Sequence, residues 1–267
     1  MKYFIFVLFF IASYSFVYAQ NSDNLSGRSS SKKITIGKQA NDIKEKRIAL
    51  VIGNANYANG QTLKNPVNDA KLMSNTLKSL GFDVIERTDA SKSTIEQAVY
   101  EFSKKLPEYN VSLFYYAGHG VQVDGINYLI PVDAQLNEKG DIKFQSVSVN
   151  YVVDELEQYP DNTNIVILDA CRNNPFRSWQ RGGGGGFKAI APASGTIISF
   201  ATSEGSTAAD GEGENGLFTE VLTKQLIIAQ PIENVFKRTR IDVEKLSKNA
   251  QSPQEWTKLK GDFWFKK

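Results

Sequence analysis

Short, largely apolar runs at residues 48–52, 111–116 and 165–168 each end at a small or chemically special residue, and amphipathic helical stretches lie between them. Runs of this kind are strands covered on both faces, and a chain that alternates them with helices builds a parallel sheet between helical layers. Asn65-Pro66 is an N-cap followed by a proline in the first turn. It opens a helix whose face carries Ala70, Met73, Leu77 and Leu80 and which ends at Gly81. Residues 82–87 form a second strand. Ser93 and Glu96 have capping-box spacing for a helix with Ile95, Val99, Phe102 and Leu106 inward, stopped by Pro107. A hairpin over 121–131, turning at Asp124-Gly125, precedes a helix with Val149, Val152, Val153 and Leu156 inward. The prediction is an α/β fold with a mainly parallel central sheet and helices on both faces.

Composition excludes several function classes. The 31 basic side chains are balanced by 29 acidic ones, so no electrostatic footprint for nucleic acid or an anionic membrane is present. Met1-Lys2, an apolar stretch over 4–11 and small residues up to Ala19 read as a cleaved secretory signal over 1–19. The mature protein is then secreted or periplasmic with no stable membrane span. Residues 20–46 are Ser-, Asn- and Lys-rich and read as a flexible linker. Residues 47–176 form a larger part. A Gly-rich linker loop over 177–190, with five consecutive glycines at 182–186, separates it from a smaller part over 191–267. The aromatic residues Trp256, Phe263, Trp264 and Phe265 read as packing, as do Tyr115 and Tyr116.

The chain has one Cys, Cys171, and one His, His119. No internal disulfide is possible, and a structural zinc site has too few ligands of the usual kind. Each residue follows an apolar strand, at the carboxyl edge where parallel α/β sheets gather reactive groups. A thiol beside an imidazole is what a cysteine nucleophile needs, because a free thiol is mostly protonated near neutrality and the imidazole can take its proton. Gly118 and Gly120 flank the histidine, leaving room for a substrate backbone and a free N–H for an oxyanion.

Tyr115-Tyr116-Ala117-Gly118-His119-Gly120 and Leu168-Asp169-Ala170-Cys171-Arg172-Asn173 resemble the histidine and cysteine motifs of caspase-like cysteine peptidases of the C14 type. Their spacing of 52 residues also matches the caspase pattern, in which the His lies about 50 residues before the Cys. Asp169 and Asn173 depart from the caspase residues and point to the paracaspase and metacaspase branch. Residues 50–57, 63–69 and 131–134 are similar to paracaspase segments, as are Phe200-Ala201-Thr202-Ser203 and Asn215-Gly216-Leu217-Phe218. The resemblance implies a caspase-like three-layer sandwich. It further implies Cys171 as nucleophile, His119 as acid/base, and the N–H groups of Gly120 and Cys171 as the oxyanion hole.

The same resemblance gives Asp69, Asp169 and Asp210 as the acids that receive a basic P1 side chain, so cleavage after Arg or Lys is expected. Asp69 also reads as a first-turn helix acid and Asp210 as a turn residue. Arg177, Arg181 and Lys188 beside the glycine run make self-processing in that loop an expectation. Residues 172–203 contain no acid, so no calcium site, metal or cofactor is expected. The expected partners are protein or peptide substrates, with the protein a monomer or a dimer through its small part. The competing reading is a catalytically silent caspase-like module that binds or scaffolds.

Overall fold

A computed structural model describes residues 45–58, 60–171, 187–203 and 213–267; of Cys171 it describes the backbone alone. The signal segment 1–19, all but the end of the 20–46 linker, Arg177, Arg181, the glycine run and Asp210 lie outside the described residues.

β1 (Arg47–Gly53) is buried at every position after its first, and it lies between β2 (Phe82–Thr88) and β3 (Val111–Val123), parallel to both. β6 (Thr163–Cys171) adds to β3, and β7 (Thr196–Phe200) adds to β6, again in parallel. One antiparallel edge strand, β8 (Gln254–Thr257), completes the order β2-β1-β3-β6-β7-β8. The sheet therefore runs through both the larger and the smaller part.

Strand alternation divides the core between two helical layers. Ala49 and Val51 pack with Ala70, Met73 and Leu77 of α1 (Pro66–Ser79), and with α5 (Leu217–Leu226) and α6 (Ile232–Leu246). Ile48, Leu50 and Ile52 pack on the opposite face, against α2 (Lys92–Lys105) and α4 (Val149–Glu157). The expected α/β architecture with helices on both faces is what forms. The aromatic tail packs as expected: Phe263 and Phe265 are buried, and the Arg47 guanidinium lies 5.1 Å from the Phe263 ring while donating to the carbonyls of Trp264 and Phe265.

Four local differences have physical reasons. The α2 N-cap is Ser91 rather than Ser93: Ser91 is extended, its hydroxyl accepts from the Thr94 N–H, and Asp133 accepts from Lys92 N–H at 2.9 Å. β3 does not end before His119. At Gly120 it exchanges partners and runs to Val123 in an antiparallel pair with β4 (Ile126–Leu129), which itself pairs with β5 (Val147–Ser148). α3 (Asp141–Gln145) is too short to show a helical period, and the polar β8 carries no apolar alternation. No helix among the described residues is long and apolar enough to cross a membrane.

Candidate active site

The parallel β3–β6 ladder continues two residues past the last β1 partner, which pairs Gly53 with Ala117. In that extension Gly118 pairs with Ala170 and His119 with Cys171. Neighbouring strands are about 4.8 Å apart, so the backbones of the sole imidazole and the sole thiol run side by side at the carboxyl edge.

The main chain of His119 is held on both sides. Its N–H donates to the Tyr57 hydroxyl at 2.8 Å, and its carbonyl accepts from the Tyr116 hydroxyl at 2.8 Å. The two phenols thus hold the main chain of His119 from either side. Burial, and then the proximity of Tyr57, push the Tyr116 hydroxyl well above the usual phenol range, which keeps it a donor. The Tyr57 ring also lies against the imidazole, centroids 4.6 Å apart.

The imidazole is oriented by a backbone carbonyl, with Nε2 3.1 Å from the Gln61 oxygen. A carbonyl only accepts, so this contact puts the proton on Nε2 and leaves Nδ1 as the basic nitrogen of the neutral ring.

The segment that delivers Tyr57 and Gln61 is tied down by two side chains. Buried Asn54 bonds the backbone of Ala90 through both ends of its amide and donates to Ile130 O at 3.1 Å. Asp89, in the left-handed region at φ 49°, accepts from the N–H groups of Ala55 and Asn56 and from the Asn56 amide. Burial pushes the Asp89 carboxyl up, but those three donors outweigh it and hold it below its ordinary value. A depressed carboxyl stabilises the fold above its unfolded pKa and loses that contribution as pH falls through the folded value. Thermal melts of Asp89→Asn should therefore show a lower midpoint than the parent at pH 7, by the loss of about 1–3 kcal/mol, with the gap closing below about pH 4. A gap independent of pH would contradict the assignment.

The space beside both glycines is filled by the protein itself, contrary to the expected opening for substrate. A Cβ on Gly118, whose φ is 150°, would lie 2.7 Å from the hydroxyls of both Tyr57 and Tyr116. On Gly120 it would lie 2.2 Å from the Phe187 ring. Phe187 is fully buried, and Asn127 pins the next residue by donating to Lys188 O and accepting from Lys188 N–H, both at 2.8 Å.

Of the three expected pocket acids, two are brought together and Asp210 lies outside the described residues. Asp69, buried in the first turn of α1, accepts on Oδ1 from the Asn215 amide at 3.0 Å and from Gly216 N–H at 2.8 Å. It thus caps α5 as well as complementing its own helix. Asp169, on the same face of β6 as Ile165 and Ile167, accepts on Oδ2 from Thr219 of α5 at 2.6 Å. Both Oδ2 atoms approach the Cα of Gly216: a Cβ there would be 3.1 Å from Asp69 and 3.8 Å from Asp169. Burial first, and then the charges of Asp169 and Asp69, push the Tyr115 hydroxyl well above its usual range, the mark of two carboxylates close by.

Sequence reasoning missed Tyr57, Gln61, Phe187 and Thr219 as parts of this site, and read Tyr115 and Tyr116 as mainly packing. Both rings are indeed core, yet their hydroxyls bond within the site. The signal available was a pair of phenols buried immediately before Gly118-His119, since a buried Tyr hydroxyl has to find a partner. A backbone carbonyl such as that of Gln61 leaves no mark in a sequence.

Human mucosa-associated lymphoid tissue lymphoma translocation protein 1 is 27% identical over 212 residues, and its mouse homologue 26%; each alignment covers 77% of this chain. The chain spans 25% of the length of these curated relatives. The crystal structure of caspase-1 from Spodoptera frugiperda shares the fold with a TM-score of 0.63 at 14% identity, covering 84% of this chain and 91% of that one. Residues 46–264 match the caspase domain, and the chain belongs to the caspase-like C14 peptidase family.

Proposed function

We propose that this protein is a cysteine endopeptidase that cleaves after Arg or Lys, with Cys171 as nucleophile and His119 as acid/base. The observation that carries the reading is the register pairing of His119 with Cys171, two residues beyond Asp169, whose Oδ2 converges with that of Asp69 on Gly216. In this reading Nδ1 of His119 takes the thiol proton and the thiolate attacks the substrate carbonyl carbon. The oxyanion is met by the N–H groups of Gly120 and Cys171. Collapse breaks the C–N bond as Nδ1 returns its proton to the leaving amine. Water then gives a proton to Nδ1 and its hydroxide to the thioester, restoring the thiol. Asp69 and Asp169, with Asp210, hold the substrate's cationic P1 side chain, since an anionic cavity attracts a cation and repels an acidic residue.

Export after removal of residues 1–19 and self-cleavage in the loop over 177–190 belong to the same proposal. Arg177, Arg181 and Lys188 are the basic residues of that loop, and the bonds from Asn127 to both backbone groups of Lys188 count against cleavage at the last of them.

One experiment tests the reading: turnover of fluorogenic P1-Arg, P1-Lys and P1-Asp peptides by the parent and by Cys171→Ala, with N-terminal sequencing of every band on a gel. The expected result is turnover of the basic peptides alone, background for Cys171→Ala, and loop fragments only in the parent. Equal background turnover by both proteins would leave a binding module. Identical bands would remove self-processing.

A further inference from the structure

Both described pocket acids are held by the first turn of one helix, α5. Gly216 N–H and the Asn215 amide bond Asp69, while Thr219 Oγ1 bonds Asp169. That turn is in its own right docked on the start of α1, where Lys64 donates to Gly213 O and Asn68 to Glu214 O, each at 3.0 Å. α5 is thus the common support of two carboxylates that come from different elements of the larger part.

Proton accounting fixes the order of the Asp169 contact. A carboxylate only accepts, so the single hydroxyl proton of Thr219 goes to Asp169 Oδ2 at 2.6 Å. Thr219 Oγ1 must then accept at its second short contact, 2.6 Å from the Tyr115 hydroxyl. Tyr115 lies 3.4 Å from the same carboxylate oxygen, too long to compete with the relay through Thr219. Tyr115 and Thr219 are both fully buried, so neither hydroxyl can exchange its partner for bulk water. The relay fixes the Asp169 carboxylate in direction.

We infer that Thr219, oriented by Tyr115, is the positioning residue that aims the Asp169 carboxylate and so sets the preference for a cationic P1 side chain. This rests on the proposed specificity for basic residues. Thr219 touches no reacting atom; it acts through Asp169. Valine has the shape of threonine without the proton, so Thr219→Val removes the aim while keeping the packing, and serine restores the hydroxyl.

The test is the ratio of kcat/KM for P1-Arg and P1-citrulline peptides, because citrulline keeps the shape of arginine without its charge. In Thr219→Val the ratio should fall about tenfold or more, the size of one charge-assisted hydrogen bond. Turnover of the citrulline peptide should fall less than that of the arginine peptide, and Thr219→Ser should recover the ratio. An unchanged ratio in Thr219→Val overturns the inference. Should that variant not fold, Tyr115→Phe is read by the same ratio, and again no change overturns it. Benzamidine binding, followed by calorimetry on parent and variants, needs no turnover. Weaker binding in Thr219→Val upholds the relay even if the parent proves inactive, a result that would count against the proposed function alone. Equal binding counts against the relay alone.

Discussion

Gly120→Ala should destabilise the protein by about 2–3 kcal/mol and Phe187→Ala by about 3–5 kcal/mol, while the double variant costs less than the two together. The new methyl would stand 2.2 Å from Cζ of Phe187 and within 3 Å of both Cε atoms, well inside any real contact distance. The ring has little freedom to withdraw. It lies on the core cluster of β1, α2 and α4, with its centroid 6.1 Å from that of Phe200, whose ring in turn meets Trp256 at 5.4 Å. Its chain is fixed one residue later, where Asn127 bonds both backbone groups of Lys188. Overpacking in such a place is resolved by backbone shift. Truncating the ring instead leaves a cavity, and the alanine methyl fills part of it, which is why the two changes compensate. Urea unfolding of the four proteins measures the coupling directly. Strictly additive losses would mean that the methyl and the ring do not compete for one space.

The case shows which parts of a site a sequence carries. The β1, β3 and β6 runs were legible because a strand buried on both faces has few polar residues to disguise it, and their ends located His119 and Cys171 at one edge. Nothing local told that β3 would run through His119, since the exchange of partners at Gly120 depends on a hairpin strand that begins six residues later. The α2 cap was misplaced for a narrower reason: Ser91 and Ser93 are both capping residues, and the contact of Lys92 with Asp133, far along the chain, accompanies the earlier start. Gly118 and Gly120 were read as room for a substrate backbone because glycine signals close approach without naming what approaches. Here the approaching groups are Tyr57, Tyr116 and Phe187. Thr219 could not be found at all, for its partner Asp169 is 50 residues away and a threonine on a helix carries no pattern.

Gly118→Ala should lower kcat by at least about a hundredfold, with a smaller effect on KM. The histidine's main chain is set by the two phenol hydrogen bonds beside this glycine, and a misplacement of about 1 Å at a reacting group costs that much. Two penalties act together. The backbone at φ 150° is one that a side chain rarely adopts, and the added Cβ would meet both ring hydroxyls at 2.7 Å with Asn54 O at 3.1 Å behind them. The hydroxyls have nowhere to go without breaking their bonds to His119, because Tyr57 and Tyr116 are buried and the Tyr116 hydroxyl is also 3.1 Å from Ile130 O. Tyr57→Phe should fall between parent and Gly118→Ala, since it leaves the His119 N–H without its acceptor but adds no atom, a loss of about 1–3 kcal/mol. Steady-state kinetics and melting curves on these variants decide the matter. If Gly118→Ala keeps the parent's kcat at an unchanged melting temperature, the two phenols do not position His119. If Tyr57→Phe loses stability but keeps kcat, the phenol bond supports the fold and leaves the imidazole to be placed by Gln61.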